Sequence, residues 1–384
     1  MLTSSQPSQT SVRRDAWVEI DLGAIEHNLH EIRSWLKPAT QLMAVVKGDA
    51  YGHGALDLTP VLQASGVDAF GVASVDEGCQ LVAAGAKVPV LVLGPCPVWA
   101  IRTALQSGLS LTVSSVSQIE DIASEARSLG KKARVHLKVD TGMHRLGLAT
   151  NEVKQAVVKI GKYKDLELAG LYSHLAEAHD DKSTERQNEL FQSVVSELIA
   201  SEQLPEIVHL ASGEAARRNP ETHYDMVRVG LYIYGLEPKS QSTVVSPAMS
   251  VRGRINQLKE IEAGESVGYG FTWTAKRKTR LASLPIGYAD GVDRKLSNQI
   301  SGLIFGHVVP QVGLISMDQM LFDVTDVSQV CVGDVITLIG CEDGSDKRLT
   351  LADWANKLDT ITYELACRLR IRLPRMYTRQ KWQA

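Results

Sequence analysis

Between Leu42 and Gly235, eight short apolar runs alternate with amphipathic stretches, and this alternation restricts the possible folds more than any other feature of the chain. The runs cover residues 42–48, 69–74, 89–94, 110–115, 134–140, 168–175, 206–212 and 226–235. They are rich in Val, Ile and Leu and lack a regular polar alternation, as strands covered on both faces require. The intervening segments read as helices, for example 117–130 and 184–202; the second repeats Leu190, Val194, Val195 and Leu198 at helical spacing. Eight strands separated by helices predict a closed (β/α)8 barrel of the TIM type. An open doubly wound sheet competes, but it usually has fewer strands, and no G-x-G-x-x-G turn opens this chain.

After Gly235 turn signals become frequent, as in EAGES (262–266) and GYADG (287–291), with short β-rich runs between them. A second, mostly antiparallel β domain is expected there, with a helical segment near its end (LTLADWANKLDTITYELACRLR). The join lies near 236–246, where the polar EPKSQSTVVSP carries two prolines, Pro238 and Pro247. The expected organisation is a disordered tail over 1–14, a barrel over 15–240 and a β domain over 241–384. A formal net charge of −3 gives no electrostatic reason to expect nucleic acid or an anionic membrane as partner. The first residues lack the apolar core of a signal peptide, and no apolar run reaches the roughly 18 residues of a bilayer span. Five scattered cysteines without a C-x-x-C pair suggest reduced thiols. Together these features point to the cytoplasm.

Barrel enzymes carry their chemistry at the carboxyl ends of the strands. There the first run ends in Lys47, and the fifth ends in Asp140 and leads to Arg145. The sixth run carries His174, the seventh ends at Ser212 and Gly213, and the eighth carries Arg228 before Gly230 and Leu231. Desolvation would lower a lysine's pKa from about 10.4 and make it a usable imine-forming amine. A lysine snorkelling from the barrel mouth or pairing with Asp49 satisfies the same pattern. Loops seven and eight, around Ser212–Gly213 and Gly230, can present backbone N–H groups to a phosphate, although ordinary turn glycines would look alike. No metal is expected, because neither H-x-x-x-H nor H-E-x-x-H occurs, and no G-x-S-x-G elbow or Walker-type loop is present.

AVVKGDAYGHG (44–54), KVDTGMHRLG (138–147), LYSHLA (171–176), DMVRVGLYIYG (225–235), VGYGFTW (267–273), IGYADG (286–291), ISMDQ (315–319) and TYELACRL (362–369) occur in that order. In these motifs the chain resembles the alanine racemase family, which binds pyridoxal 5'-phosphate (PLP). The resemblance implies interconversion of L- and D-alanine, with D-alanine destined for peptidoglycan, in a homodimer with shared active sites. It implies that Lys47 holds PLP as a Schiff base and acts as one catalytic base, and that Tyr269 from a second subunit is the base on the opposite face. Tyr51, Tyr363 and the backbone at Gly230 and Leu231 would hold the phosphate. Arg145 would face the phenolic oxygen of PLP and the substrate carboxylate. Arg228 would contact the pyridine nitrogen with His174 beside it, the pair acting on Tyr269 through hydrogen bonds. Met317 and Asp318 would line the substrate pocket, and Lys138 matches a position often carbamylated in the family. The chain departs from the pattern at Gly213, where a phosphate-binding serine is usual and Ser212 could compensate, and at His144, Gly268 and Leu314. A broad-specificity or serine racemase is the nearest alternative. An amino-acid decarboxylase of the same architecture typically has an acid where Arg228 stands, and a non-catalytic PLP-binding barrel lacks the β domain.

Overall fold

A computed structural model describes residues 14–236, 244–342, 344–369 and 372–379. The expected tail lies outside the described residues up to position 13, as does most of the expected join, 237–243. The chain divides into two units, one built on Ile25–Gly235 and the other on the first 24 residues together with Ser246–Ala384.

The first strand, β1 (Ala16–Asp21), belongs to the second unit and not to the barrel, which corrects the expected barrel start at residue 15. It pairs antiparallel with Met249–Arg254 and parallel with Arg375–Thr378. Arg14, placed by the sequence in a disordered tail, is held by the Asp290 carboxylate (Nη2 to Oδ2, 2.7 Å) and by the Pro285 carbonyl at 3.1 Å.

The barrel strands are β2 (Gln41–Val45), β3 (Ala69–Val72), β4 (Val90–Pro95), β5 (Ser110–Val113), β6 (Ala133–Lys138), β7 (Leu166–Tyr172), β8 (Ile207–His209) and β9 (Met226–Val229). Each falls within or overlaps one of the eight apolar runs. They form one parallel sheet in the order β8-β7-β6-β5-β4-β3-β2-β9. A parallel bridge between Ser212 and Arg228 links the chain after β8 to β9, so that the sheet nearly closes on itself. Several strands are shorter than their runs: the first ends before Lys47, and residues 231–234 form a 3₁₀ turn instead of continuing β9.

Helices cover the strands, Gln118–Leu129 and Asp181–Ala200 among them. In the latter Val194, Val195 and Leu198 are buried as expected, whereas Leu190 is 40% exposed. Met43, Ala69, Leu91 and Met226, from four neighbouring strands, form an apolar cluster. Five neighbouring strands also carry buried polar side chains, namely Thr112, His136, Lys138, Tyr172, His209 and Arg228. Such groups are costly to bury unless they find partners, which makes them the natural start for a functional reading.

The second unit has a sheet that continues with β10 (Met249–Arg254), β11 (Gln257–Ile261), β14 (Thr279–Leu284), β15 (Ser301–Ile304), β16 (His307–Val312), β17 (Met320–Asp323), β18 (Val335–Cys341) and β20 (Arg375–Thr378), with β19 (Arg348–Leu349) on β18. A separate short pair, β12 (Ser266–Val267) and β13 (Trp273–Thr274), carries the loop containing Tyr269. All strand pairs in this unit are antiparallel except β1 with β20. Among the described residues no helix is long and apolar enough to cross a membrane.

Candidate active site

Arg228 lies at the centre of the polar cluster in the barrel. It is 4% exposed, and its hydrogen bonds run to neutral acceptors. Nη1 donates to His209 Nδ1 (3.0 Å) and to the His209 carbonyl (3.1 Å). Nη2 faces the carbonyls of Ser173 (2.7 Å) and Leu210 (3.0 Å) and His174 Nδ1 (3.2 Å). The η hydrogens are thus engaged, and Nε–H is the one donor of this guanidinium without an acceptor among the described residues. His209 Nε2 lies 3.0 Å from His136 Nδ1, which extends the chain to a third strand.

Burial sets the charge states. It lowers the His136 pKa to about 3 and pushes His209 and His174 well below the usual range, and the Arg228 charge adds to each effect. The three imidazoles are therefore neutral at neutral pH. A guanidinium can only donate, so Nδ1 of His209 and of His174 must accept, and their protons sit on Nε2. His209 then donates to His136, which places the His136 proton on Nε2 as well. Burial also lowers the Arg228 pKa to about 10, which leaves it charged at neutral pH.

Beside this chain, Tyr172 stacks on His209 with ring centroids 4.7 Å apart. Its hydroxyl lies 2.7 Å from Thr112 Oγ1 and donates to the Leu93 carbonyl at 3.1 Å. Lys138 Nζ stands 4.5 Å from the Tyr172 ring centre. Burial, with the charges of Arg228 and Arg145, lowers the Lys138 pKa to about 7. Arg145 itself is exposed.

Lys47 opens the loop after β2. Its side chain is exposed, so the desolvation expected for it is not observed. The backbone that follows is unusual: Gly48, Asp49, Ala50 and Tyr51 take left-handed helical angles, with φ between 53° and 62°. For the three non-glycine residues this costs about 1 kcal/mol or more each. Several contacts hold the turn. Gly48 N–H donates to Glu77 Oε1 and Ala55 N–H to Asp49 Oδ1, both at 2.8 Å. His53 Nδ1 lies 3.1 Å from the Ala50 carbonyl, and the Tyr51 ring packs on Tyr234. Lys47 Nζ ends 6.0 Å from the centre of the Tyr51 ring. A Cβ at position 230 would lie 2.9 Å from the Tyr51 hydroxyl, so Gly230 lets that phenol approach the loop after β9. Leu231 begins the 3₁₀ turn there, and Ser212 precedes the helix Gly213–Arg218 on the neighbouring loop.

The remaining sequence candidates belong to the other unit. Tyr269 is 73% exposed in a tight turn. Gly268 has φ 73° and ψ −174°, a region essentially restricted to glycine, so the residue that departs from the family pattern is required by this turn. Leu314 adjoins the same turn: a Cβ at 268 would lie 3.5 Å from its backbone nitrogen, and one at 270 would lie 3.9 Å from its Cδ1. Met317 is 52% exposed. The segment before Asp318 is tied to the 287–289 turn, because Tyr288 N–H donates to the Ser316 carbonyl and Ala289 N–H to the Met317 carbonyl, both at 3.0 Å. Asp318 accepts from Arg372 Nη2 at 2.6 Å. Tyr363 is half-buried on the helix Thr362–Arg368.

The structure thus brings Lys47, Tyr51, Arg145, His174, Ser212, Gly213, Arg228, Gly230 and Leu231 onto the carboxyl-end loops and strands of one barrel. Sequence reasoning missed His136, His209, Tyr172 and Thr112, all fully or nearly fully buried. A signal was available, since a histidine interrupts the apolar runs RVHLKVD and EIVHLAS.

Residues 20–238 match the family described as alanine racemase, N-terminal domain, and residues 248–377 match alanine racemase, C-terminal domain. The chain belongs to the alanine racemase family. An alanine racemase of Nostoc sp. is 40% identical over 370 residues, covering 94% of this chain and 95% of that one. The alanine racemase structure from Clostridium difficile 630 superposes with a TM-score of 0.89 at 31% identity, covering 96% and 97% of the two chains. The Bartonella henselae alanine racemase, solved with covalently bound pyridoxal phosphate, gives a TM-score of 0.83 at 32% identity, covering 95% and 99%. The N-terminal barrel and the mostly antiparallel β unit are those of the family, and the protein is an isomerase.

Proposed function

We propose that this alanine racemase interconverts L- and D-alanine by moving the α-proton between two bases, with PLP held in the barrel. The observation that carries the reading is Arg228, a buried, charged donor fixed by neutral acceptors, with Nε–H as its remaining donor. That arrangement fits a ring nitrogen that accepts a hydrogen bond and is not given a proton. Lys47 would hold the cofactor's aldehyde covalently. Tyr51, Ser212 and the backbone at Gly213, Gly230 and Leu231 would hold its phosphate, joined by Tyr363. Arg145 would meet the phenolic oxygen and the substrate carboxylate. Bound there, PLP supplies an electron sink for the pair left at the α-carbon.

Lys47 Nζ would take or return the proton on one face and Tyr269 of a second copy of the chain on the other, so the substrate need not turn over. An exposed tyrosine on a loop tip suits a residue that serves a neighbouring copy. His174, with Nδ1 accepting from Arg228, offers Nε2–H as a donor, the polarity that favours an ionised phenol at Tyr269. Met317 and Asp318 would help to bound the substrate. Lys138 is poised for carbamylation, because an amine with a pKa near 7 is substantially neutral at neutral pH, and a carbamate would offset the nearby positive charges of Arg228 and Arg145. The enzyme would act as a cytoplasmic homodimer supplying D-alanine for peptidoglycan.

Borohydride treatment of purified protein supplied with PLP, followed by peptide mapping, should place the modification on Lys47. Racemisation of alanine, serine and lysine, measured side by side, should favour alanine and fall by orders of magnitude in Lys47→Ala and Tyr269→Phe. A colourless protein, inert with added PLP, would refute the proposal.

A further inference from the structure

Position 213 opens the helix Gly213–Arg218 that follows β8, and its side-chain space is already filled. A Cβ built on Gly213 would lie 2.6 Å from Cδ2 and 3.3 Å from Cε2 of Tyr232. The ring cannot easily yield. Tyr232 is 1% exposed, and it packs edge-on against Trp35, with centroids 5.4 Å apart at 86°. Its hydroxyl donates a hydrogen bond to Glu214 Oε2. Glu214 is itself buried and braced, with Arg217 Nη2 at 3.2 Å and His179 Nδ1 at 3.3 Å from Oε1. The residue before the glycine, Ser212, is half-buried, and its hydroxyl does not cap the helix that starts at 213. Its backbone is bridged to Arg228.

We infer that Tyr232 is a positioning residue for the phosphate end of the site: anchored through Glu214 to Arg217, its ring occupies the place of a side chain at 213 and fixes the loop so that Ser212 is its only hydroxyl for the phosphate. The inference rests on the proposed binding of PLP in the barrel. A serine at 213 is excluded by the ring and not by the backbone, so the two positions are coupled and can be exchanged only together.

The test is equilibrium titration of apoprotein with PLP and, separately, with pyridoxal, which lacks the phosphate. Tyr232→Phe keeps the ring and removes the anchor; it should weaken PLP binding about tenfold and leave pyridoxal binding unchanged. Gly213→Ser should weaken PLP binding by a similar factor, and Gly213→Ser combined with Tyr232→Ala should recover most of the loss. Equal losses for the two ligands, an unaffected Tyr232→Phe, or a double variant no better than Gly213→Ser would each overturn the inference. A parent protein that does not prefer PLP to pyridoxal would overturn the cofactor reading itself, and the inference with it.

Discussion

Lys138 offers a quantitative test of the barrel's electrostatics. It is 6% exposed, and its amine titrates near 7 against 10.5 for an unperturbed lysine. At about 1.4 kcal/mol per pKa unit, holding this amine protonated in the folded state costs about 5 kcal/mol. The sign follows from proton counting. Below pH 7 the amine is protonated in both states, and the penalty is fully present. Between pH 7 and 10.5 the unfolded chain binds the extra proton, so raising the pH relieves the penalty and stability rises. Lys138→Met keeps an unbranched side chain of similar volume and removes the titration. In CO2-free buffer the variant should therefore be the more stable protein below pH 7, and its advantage should shrink by roughly 2–3 kcal/mol between pH 7 and 9. Urea unfolding of both proteins at matched pH, followed by circular dichroism, measures the difference. Parallel stability curves across that range would show that Lys138 keeps an ordinary pKa and would refute the argument. Bicarbonate should stabilise the parent and not the variant, and 13C-labelled bicarbonate should give a carbamate resonance only in the parent.

Three further outcomes are expected. Arg228→Lys supplies too few donors in the wrong geometry for the acceptors around it; it should cost about 2–4 kcal/mol in unfolding and reduce turnover at least a hundredfold, measured by urea titration and racemisation rate. Gly170→Ala would place a methyl 2.2 Å from His136 Nδ1, break the His136–His209 hydrogen bond and cost about 2 kcal/mol or more, visible as a lower melting temperature with reduced activity. Asp290 is fully buried and receives Arg14 and the Gly287 N–H. Asp290→Asn should therefore leave Arg14 uncompensated and cost about 3 kcal/mol, read as an earlier unfolding transition of the β unit by hydrogen exchange.

The barrel was legible because its signal is local: each buried parallel strand must be apolar on both faces, and eight such runs stand out. Strand ends were less legible, since the apolar letters run on to Val46 although the strand ends at Val45 and a left-handed turn opens at Gly48. The origin of β1 was missed because AWVEID lies beside the barrel in sequence and its partners lie more than 200 residues away. Arg228 and His174 were named from motifs, whereas His209 and His136 were passed over, because a histidine in an apolar strand reads as an ordinary core residue until its neighbour is known. Their pairing is a tertiary fact.

The place of β1 has a consequence for how the molecule is assembled. The strand leaves the ribosome before any of the barrel, yet both of its neighbours in the sheet, β10 and β20, are made only after the barrel is complete. The strand must wait for its sheet partners while an entire inserted module forms behind it. Damage to β1 should therefore show itself in the sheet that closes after the barrel, at β10 and β20.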